Sequence, residues 1–295
     1  MNGSLLAKVA DRLMPLSDSP ALDASVLLAH IVGRPRTWIM AHPDISLSAG
    51  QRSDLEAALV DLQGGASFPY VLGHWEFFGL DLLVTPDVII PRPETELLVE
   101  KAISWLQGAP GRRTIADVGT GSGCIAIALA VNVPDARVLA TDISPAALAV
   151  ARQNARRLDV EELIEFAHCD LLPKAGDLSA GSGRRGSLPH RLSPCDLICA
   201  NLPYIPTGSL KGLPIYGREP TIGLDGGQDG LLVVRRLLGS ARKWLAPRGK
   251  MLLEIESTRG VKALALAYDA FSETEIRLHR DLAGRDRLLE IQLKS

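Results

Sequence analysis

No apolar run in this sequence reaches the roughly 18 residues that suggest a membrane span. Nor does Met1-Asn2-Gly3-Ser4 open a basic segment, apolar core and cleavage site of the signal-peptide kind. A chain with neither is expected in the cytoplasm. Cys124, Cys169, Cys195 and Cys199 form no C-x-x-C pair, and their apolar surroundings read as buried free thiols. No His, Cys and Asp cluster has ligand spacing, so no metal is implied. Charge of one sign is not in surplus, with 32 basic residues against 34 acidic ones. That balance argues against direct nucleic-acid binding, although it leaves room for a local basic patch. At 295 residues, 46% of them hydrophobic, the chain can bury a sizeable core and is long enough for two domains.

Against that background a glycine-rich stretch stands out. Asp117-Val118-Gly119-Thr120-Gly121-Ser122-Gly123 lies between a predicted strand, Thr114 to Val118, and an apolar helix from Cys124. A G-x-G-x-x-G dinucleotide fingerprint would need its third glycine where Cys124 stands, and a P-loop would need Gly-Lys-Ser/Thr where the chain has Gly123-Cys124-Ile125. The tighter Asp-x-Gly-x-Gly-x-Gly form resembles motif I of the Rossmann-like S-adenosylmethionine methyltransferases. Its glycines would let the methionine and ribose portions of that cofactor approach the main chain. Asp142 closes a second predicted strand, Arg137 to Thr141, at about the twenty-residue spacing at which an acidic residue accepts hydrogen bonds from ribose hydroxyls.

Residues 1–72 read as a small helical bundle. Ser19-Pro20 starts one helix that Gly33 closes, and a second begins near Ser48 with Leu55, Ala58, Leu59 and Leu62 on one face. Nothing there is chemically reactive, so partner recognition or simple packing is its expected work. Residues 73–92 follow as a β-hairpin linker with Trp75, Phe77, Leu80 and Leu82 broken at Gly79. Its end, Pro91-Arg92-Pro93-Glu94-Thr95-Glu96, holds Glu94 and Glu96 close to the next sheet. From residue 93 to 295 strands alternate with helices, which predicts a mostly parallel α/β sheet with ligands gathered at the carboxyl ends of its strands. A polar, basic, glycine-rich interruption from Lys174 to Pro194 reads as a surface loop.

The strand Asp196 to Ala200 ends in Asn201-Leu202-Pro203-Tyr204. A tetrad of this kind suits transfer to a planar nitrogen, whose lone pair is delocalised and whose nucleophilicity is therefore poor. The Asn201 side-chain oxygen and the Leu202 carbonyl would accept the two N–H bonds, Pro203 would fix the turn, and Tyr204 would lie against the flat group.

With these residues in view, the chain resembles the HemK/PrmC family, protein-(glutamine) methyltransferases acting on the Gly-Gly-Gln glutamine of class 1 peptide chain release factors. The resemblance runs through Gly73 to Phe77, Ile90 to Glu96, Asp117 to Gly123, Asp142 to Pro145, the Asn201 tetrad, Leu224 to Gly227 with Asp229-Gly230, and Asp281 to Arg287. It implies a Rossmann-like S-adenosyl-L-methionine-dependent sheet with a helical N-terminal domain that recognises the release factor, in a monomer. Cofactor contacts would fall on Asp117, Gly119, Thr120, Gly121, Ser122 and Gly123, on Asp142 and Ile143 at the ribose, on Asp170 and Leu171 near the adenine, and on Asn201. Asn201, Leu202, Pro203 and Tyr204 would take the glutamine. Two positions depart from the family, Leu202 where proline is usual and Glu256 where glycine is common. Asn-Leu-Pro-Tyr also resembles the tetrad of adenine dimethyltransferases, which makes an adenine amino-group methyltransferase the competing reading. A SAM-binding protein without catalysis is the reading from a different class.

Overall fold

The computed structural model describes residues 3–108, 113–173, 194–272 and 274–294. Two compact units divide the chain, residues 1–73 and 74–295.

The first unit is helical: α1 (Leu5–Leu13), α2 (Pro20–Val32), α3 (Arg36–Ala41), α4 (Ala49–Gln63) and α5 (Phe68–Leu72). Val9, Leu13, Leu27, Leu28, Ile39 and Leu59 form its interior. Its helix ends follow from local chemistry. Ser48 and Gln51 form a reciprocal capping box at the start of α4, and Gly33, at φ 69°, closes α2 in the left-handed conformation. Ser19 occupies the N-cap of α2, but its side chain makes no capping bond. Ser17 Oγ instead accepts from Ser19 N and donates to Asp23 at 2.6 Å.

The second unit opens with the hairpin β1 (His74–Phe77) and β2 (Leu80–Leu83). Its turn places Phe78 at φ 53° and Gly79 at φ 74°. Two consecutive positive φ values twist a two-residue turn to match its strands. Phe78 is a costly residue for that conformation. Two carboxylates hold it: Phe78 N donates to Glu96 at 2.9 Å, and Gly79 N donates to Glu76. Glu96 thus supports the hairpin, and Glu94 is exposed.

Beyond the hairpin come α6 (Glu96–Gln107), β3 (Thr114–Val118), α7 (Cys124–Asn132), β4 (Arg137–Asp142), α8 (Pro145–Arg157), β5 (Ile164–His168) and β6 (Cys195–Asn201). The chain ends through α9 (Thr207–Leu210), α10 (Leu232–Ala241), β7 (Leu245–Glu254), α11 (Gly260–Ala270), β8 (Glu275–Arg280) and β9 (Asp286–Gln292). Seven strands form one sheet in the order β5-β4-β3-β6-β7-β9-β8, parallel except for β9, which runs antiparallel to both its neighbours. This is a Rossmann-like arrangement. Alternation along each strand feeds two cores: Ile115, Leu197, Cys199 and Leu252 pack under α6 and α7, while Ala116, Ile198, Ala200 and Leu253 pack under α10 and α11. Burial on both faces explains why these strands read as continuous apolar runs.

β7 begins five residues before its apolar run, because Pro247 and Gly249 read as a turn in the sequence yet lie within the strand. Thr207–Leu210 and the short 3-10 turn Thr221–Gly223 carry no apolar period that would mark them in the sequence. The basic stretch expected as a surface loop lies, but for Pro194, outside the described residues. Among the described residues no helix is long and apolar enough to cross a membrane.

Successive strands run from β3 outward to β5 and then return to the other side of β3 as β6. Where connections diverge in this way, a crevice opens at the carboxyl ends of the two strands. Asn154 of α8, fully buried, helps shape that crevice. Its Oδ1 accepts from Leu83 N at 2.7 Å, and its Nδ2 donates to the carbonyls of Leu83 and Ser122, each at 2.9 Å. One side chain therefore joins the hairpin to the glycine turn. Asn154→Ala strands buried partners on both and is expected to cost on the order of 2–4 kcal/mol in urea unfolding. A change below about 0.5 kcal/mol would show that the hairpin and the turn are held by other contacts.

Candidate active site

The glycine turn leaves β3 at Val118. The N–H groups of Gly119 and Thr120 both donate to the Thr141 carbonyl at 2.9 Å, and Gly121 N donates to Asp142 Oδ2 at the same distance. Gly123 closes the turn at φ 85°, where a Cβ would stand 2.9 Å from Ile127 and 3.1 Å from Ala151. That glycine permits close packing of α7 and α8. Gly121 differs: at φ 56° its Cβ position has nothing within 4 Å.

Asp117 lies beneath the turn with no exposed surface. Its Oδ2 accepts from Thr120 Oγ1 at 2.6 Å and from Ala126 N, an otherwise free donor in the first turn of α7, at 3.1 Å. Burial raises its carboxyl from 3.8 to about 7, with the Thr120 and Ala126 bonds opposing the rise. Asp142 closes β4 and accepts from Ser144 N as well as Gly121 N. Burial raises it too, against those same bonds.

Gly119, Thr120, Gly121 and Ser122, together with Asp142, Ile143, Asp170 and Leu171, line one cleft of about 850 Å³ with Asn201, Leu202, Pro203 and Tyr204. Asp117 and Gly123 support it without lining it. Apolar side chains, among them Ile89, Ile90, Ile125 and Val233, supply much of its wall. Its two cations are committed: Arg92 pairs with Glu219 at 2.6 Å, and Arg236 pairs with Asp170. A pyrophosphate would find no uncommitted charge among these lining residues.

Cys124 also lines the cleft and is only partly buried, contrary to its reading as a buried thiol; so is Cys169, while Cys195 and Cys199 are buried. Burial, then the nearby Asp117, pushes the Cys124 thiol up to about 12, which leaves no thiolate for nucleophilic chemistry.

Asn201, the last residue of β6, is anchored by a group the sequence did not mark. Its Nδ2 donates to Thr95 Oγ1 at 3.0 Å, and Thr95 Oγ1 donates to Glu254 Oε2 at 2.6 Å. Thr95 is 1% exposed and Glu254 2%. Burial raises the Glu254 carboxyl to about 7, opposed by the Thr95 bond and Arg287. The signal available in sequence was the rigid segment Pro91 to Glu96. Its buried member, bonded to Asn201, is the threonine between the two glutamates.

Residues 4–73 match the PrmC N-terminal domain, and residues 94–180 match the methyltransferase small domain. The release factor glutamine methyltransferase of Moorella thermoacetica is 41% identical over 92% of this chain and 90% of its own length. That of Coxiella burnetii is 36% identical over 95% of each. The chain belongs to the release factor glutamine methyltransferase family. Among solved structures, the hMettl16 catalytic domain in complex with an RNA hairpin superposes with a TM-score of 0.51 at 14% identity, over 84% of this chain and 82% of that one, a likeness of fold.

Methyltransferases of this family use S-adenosyl-L-methionine, and the cleft suits it. Open space over Gly121 admits a ligand against bare backbone, Asp142 offers acceptor oxygens for ribose hydroxyls, and the apolar wall suits an adenine. The family's glycine-rich segment packs on the tetrad itself: a Cβ at Gly226 would lie 2.8 Å from Pro203 O, and one at Gly230 would lie 2.3 Å from Tyr204 O. Glu256 has partners of its own. It accepts from the Ser257 and Thr258 hydroxyls and sits 3.6 Å from Arg259, whose Nη1 donates to Asp229 O at 2.7 Å.

Asp142→Ala removes a charged acceptor for ribose hydroxyls and is expected to weaken S-adenosyl-L-methionine binding by about 1.5–3 kcal/mol in calorimetry. Unchanged affinity would take Asp142 out of the cofactor site.

Proposed function

We propose that this chain transfers a methyl group from S-adenosyl-L-methionine to the side-chain amide nitrogen of the glutamine in the Gly-Gly-Gln motif of a class 1 release factor. The observation that carries the reading is the anchored Asn201, at the carboxyl end of β6 on the wall of the cleft that holds the glycine turn and Asp142, in a chain whose relatives bear that name. When bound, the cofactor supplies an electrophilic methyl on a positively charged sulfur.

Asn201 and the Leu202 carbonyl accept the two N–H bonds of the substrate amide and hold its nitrogen in line with the methyl. Acceptance strengthens as positive charge develops on the nitrogen, so Asn201 acts mainly on the transition state. Tyr204 keeps its proton, since burial and Glu254 raise its hydroxyl to about 12. It offers a neutral ring face to the planar amide. The proton leaves from a nitrogen that methylation has made acidic. Adenine transfer is not favoured, because the relatives matched over nearly the full chain are named for release factors.

Residues 1–72 recognise the release factor in this reading, and the enzyme works as a cytoplasmic monomer without direct nucleic-acid contact. The near-equal count of basic and acidic residues supports the last point.

Labelled S-adenosyl-L-methionine should label a release factor but not its variant with the Gly-Gly-Gln glutamine replaced by asparagine, and should leave RNA unlabelled. Asn201→Ala should lower kcat by roughly a hundredfold or more with cofactor affinity little changed, in the range seen for loss of one preorganised polar partner. A near wild-type rate would remove the tetrad from the chemistry. Deleting residues 1–72 should preserve cofactor binding and depress methylation of intact release factor; an undiminished rate would sink the recognition role.

A further inference from the structure

Glu254 occupies a place for which the methyl transfer has no evident need. It stands beside Asn201 in the parallel register of β6 and β7. Its Oε2 receives the Thr95 hydroxyl, and its Oε1, buried, has no partner among the described residues. A carboxylate buried this way is expensive, and neutral residues would fill the same space at lower cost.

The direction of the hydrogen bonds explains its use. A hydroxyl has one hydrogen, and above about pH 7, where its burial-raised carboxyl is ionised, Glu254 only accepts. Thr95 therefore donates toward Glu254 and turns its lone pairs to Asn201, which can meet them only with Nδ2. Which end of an amide is nitrogen is decided by such a network. Here the network leaves Oδ1 as the end of the Asn201 amide not held by Thr95, on a residue that lines the cleft.

We infer that Glu254, acting through Thr95, is a positioning residue that fixes the Asn201 amide with its oxygen toward the substrate nitrogen. The inference rests on the proposed function. It also gives the buried charge a purpose, since hydrogen bonds aligned in a low-dielectric interior polarise one another and make the far oxygen a better acceptor. A glutamine at position 254 would lose both properties. Able to donate, it would let the chain reverse, with Thr95 donating to Asn201 Oδ1 and Nδ2 facing the cleft.

The test uses the full-length enzyme, a release factor carrying Gly-Gly-Gln, and labelled S-adenosyl-L-methionine. Glu254→Gln and Thr95→Val should each lower kcat by roughly tenfold to a hundredfold, the worth of one hydrogen bond to a charged group. KM for the release factor and cofactor affinity should change little, and the thermal midpoint of Glu254→Gln should match or exceed wild type. Thr95→Ser should restore most of the rate. Because the two groups act in series, the double variant Glu254→Gln, Thr95→Val should be no slower than the slower single one. A Glu254→Gln enzyme with wild-type kcat overturns the inference, as does a loss of rate that tracks losses of thermal midpoint and cofactor affinity. A wild-type enzyme that leaves the release factor unlabelled overturns the proposed function instead, a result visible before any variant is made.

Discussion

The cleft keeps its shape because a carboxylate is buried beneath it. Asp117 reaches upward to the Thr120 hydroxyl and sideways to the first turn of α7, so one side chain sets both the curvature of the glycine turn and the start of the helix that follows. Its desolvation carries a cost. With a folded-state value near 7 against 3.8, the folded protein binds this proton more tightly than the unfolded chain does. The stability tied to it is therefore full below about pH 4 and declines as pH rises toward 7, by up to about 1.4 kcal/mol per pH unit. Bonds to the turn and to the helix N-terminus offset part of that penalty.

Much else in the second unit connects segments far apart in sequence to the ends of β3 and β6. Glu219, itself buried, accepts from Ile90 N at 3.1 Å and from Arg92, tying the segment before Pro93 to the long connection after β6. Thr95 ties the same segment to Asn201 and to β7. Gly226 and Gly230 let that connection lie directly on the backbone of Pro203 and Tyr204. The segment from Ile90 to Thr95 and the glycine-rich connection thus converge around the tetrad.

The alternating architecture was legible because each strand is buried on both faces and reads as an apolar run between helix signals. The glycine turn, Asp142 and the tetrad were legible because they sit at strand ends where the chain must turn sharply. Thr95 and Glu254 were not. A threonine between two glutamates and a glutamate at a strand end look like solvated residues, and only the pairing of β6 with β7 brings them together beside Asn201. Glu94 and Glu96, expected close to the sheet, divide their roles: Glu94 is exposed yet near enough to Glu254 and Tyr204 to oppose their ionisation, and Glu96 holds a hairpin turn. Asp117 opens the motif and so looks like a cofactor contact in the sequence; the depth of its burial is a property of the sheet.

Leu202 shows how a motif can lose a residue and keep its geometry. Proline at that position would fix its own φ within the chain. Leucine has no such restraint, but Pro203 after it still biases its backbone toward extended values, and its side chain is 4% exposed. Leu202 Cδ2 lies 3.1 Å from where a Cβ on Gly119 would stand, so the side chain fills the hollow that the glycine leaves. The far side of the turn is blocked by Gly226 and Gly230 packed on Pro203 and Tyr204. Rigidity that proline would supply from within is supplied here by neighbours on both sides, and the main-chain carbonyl is one that either residue would provide.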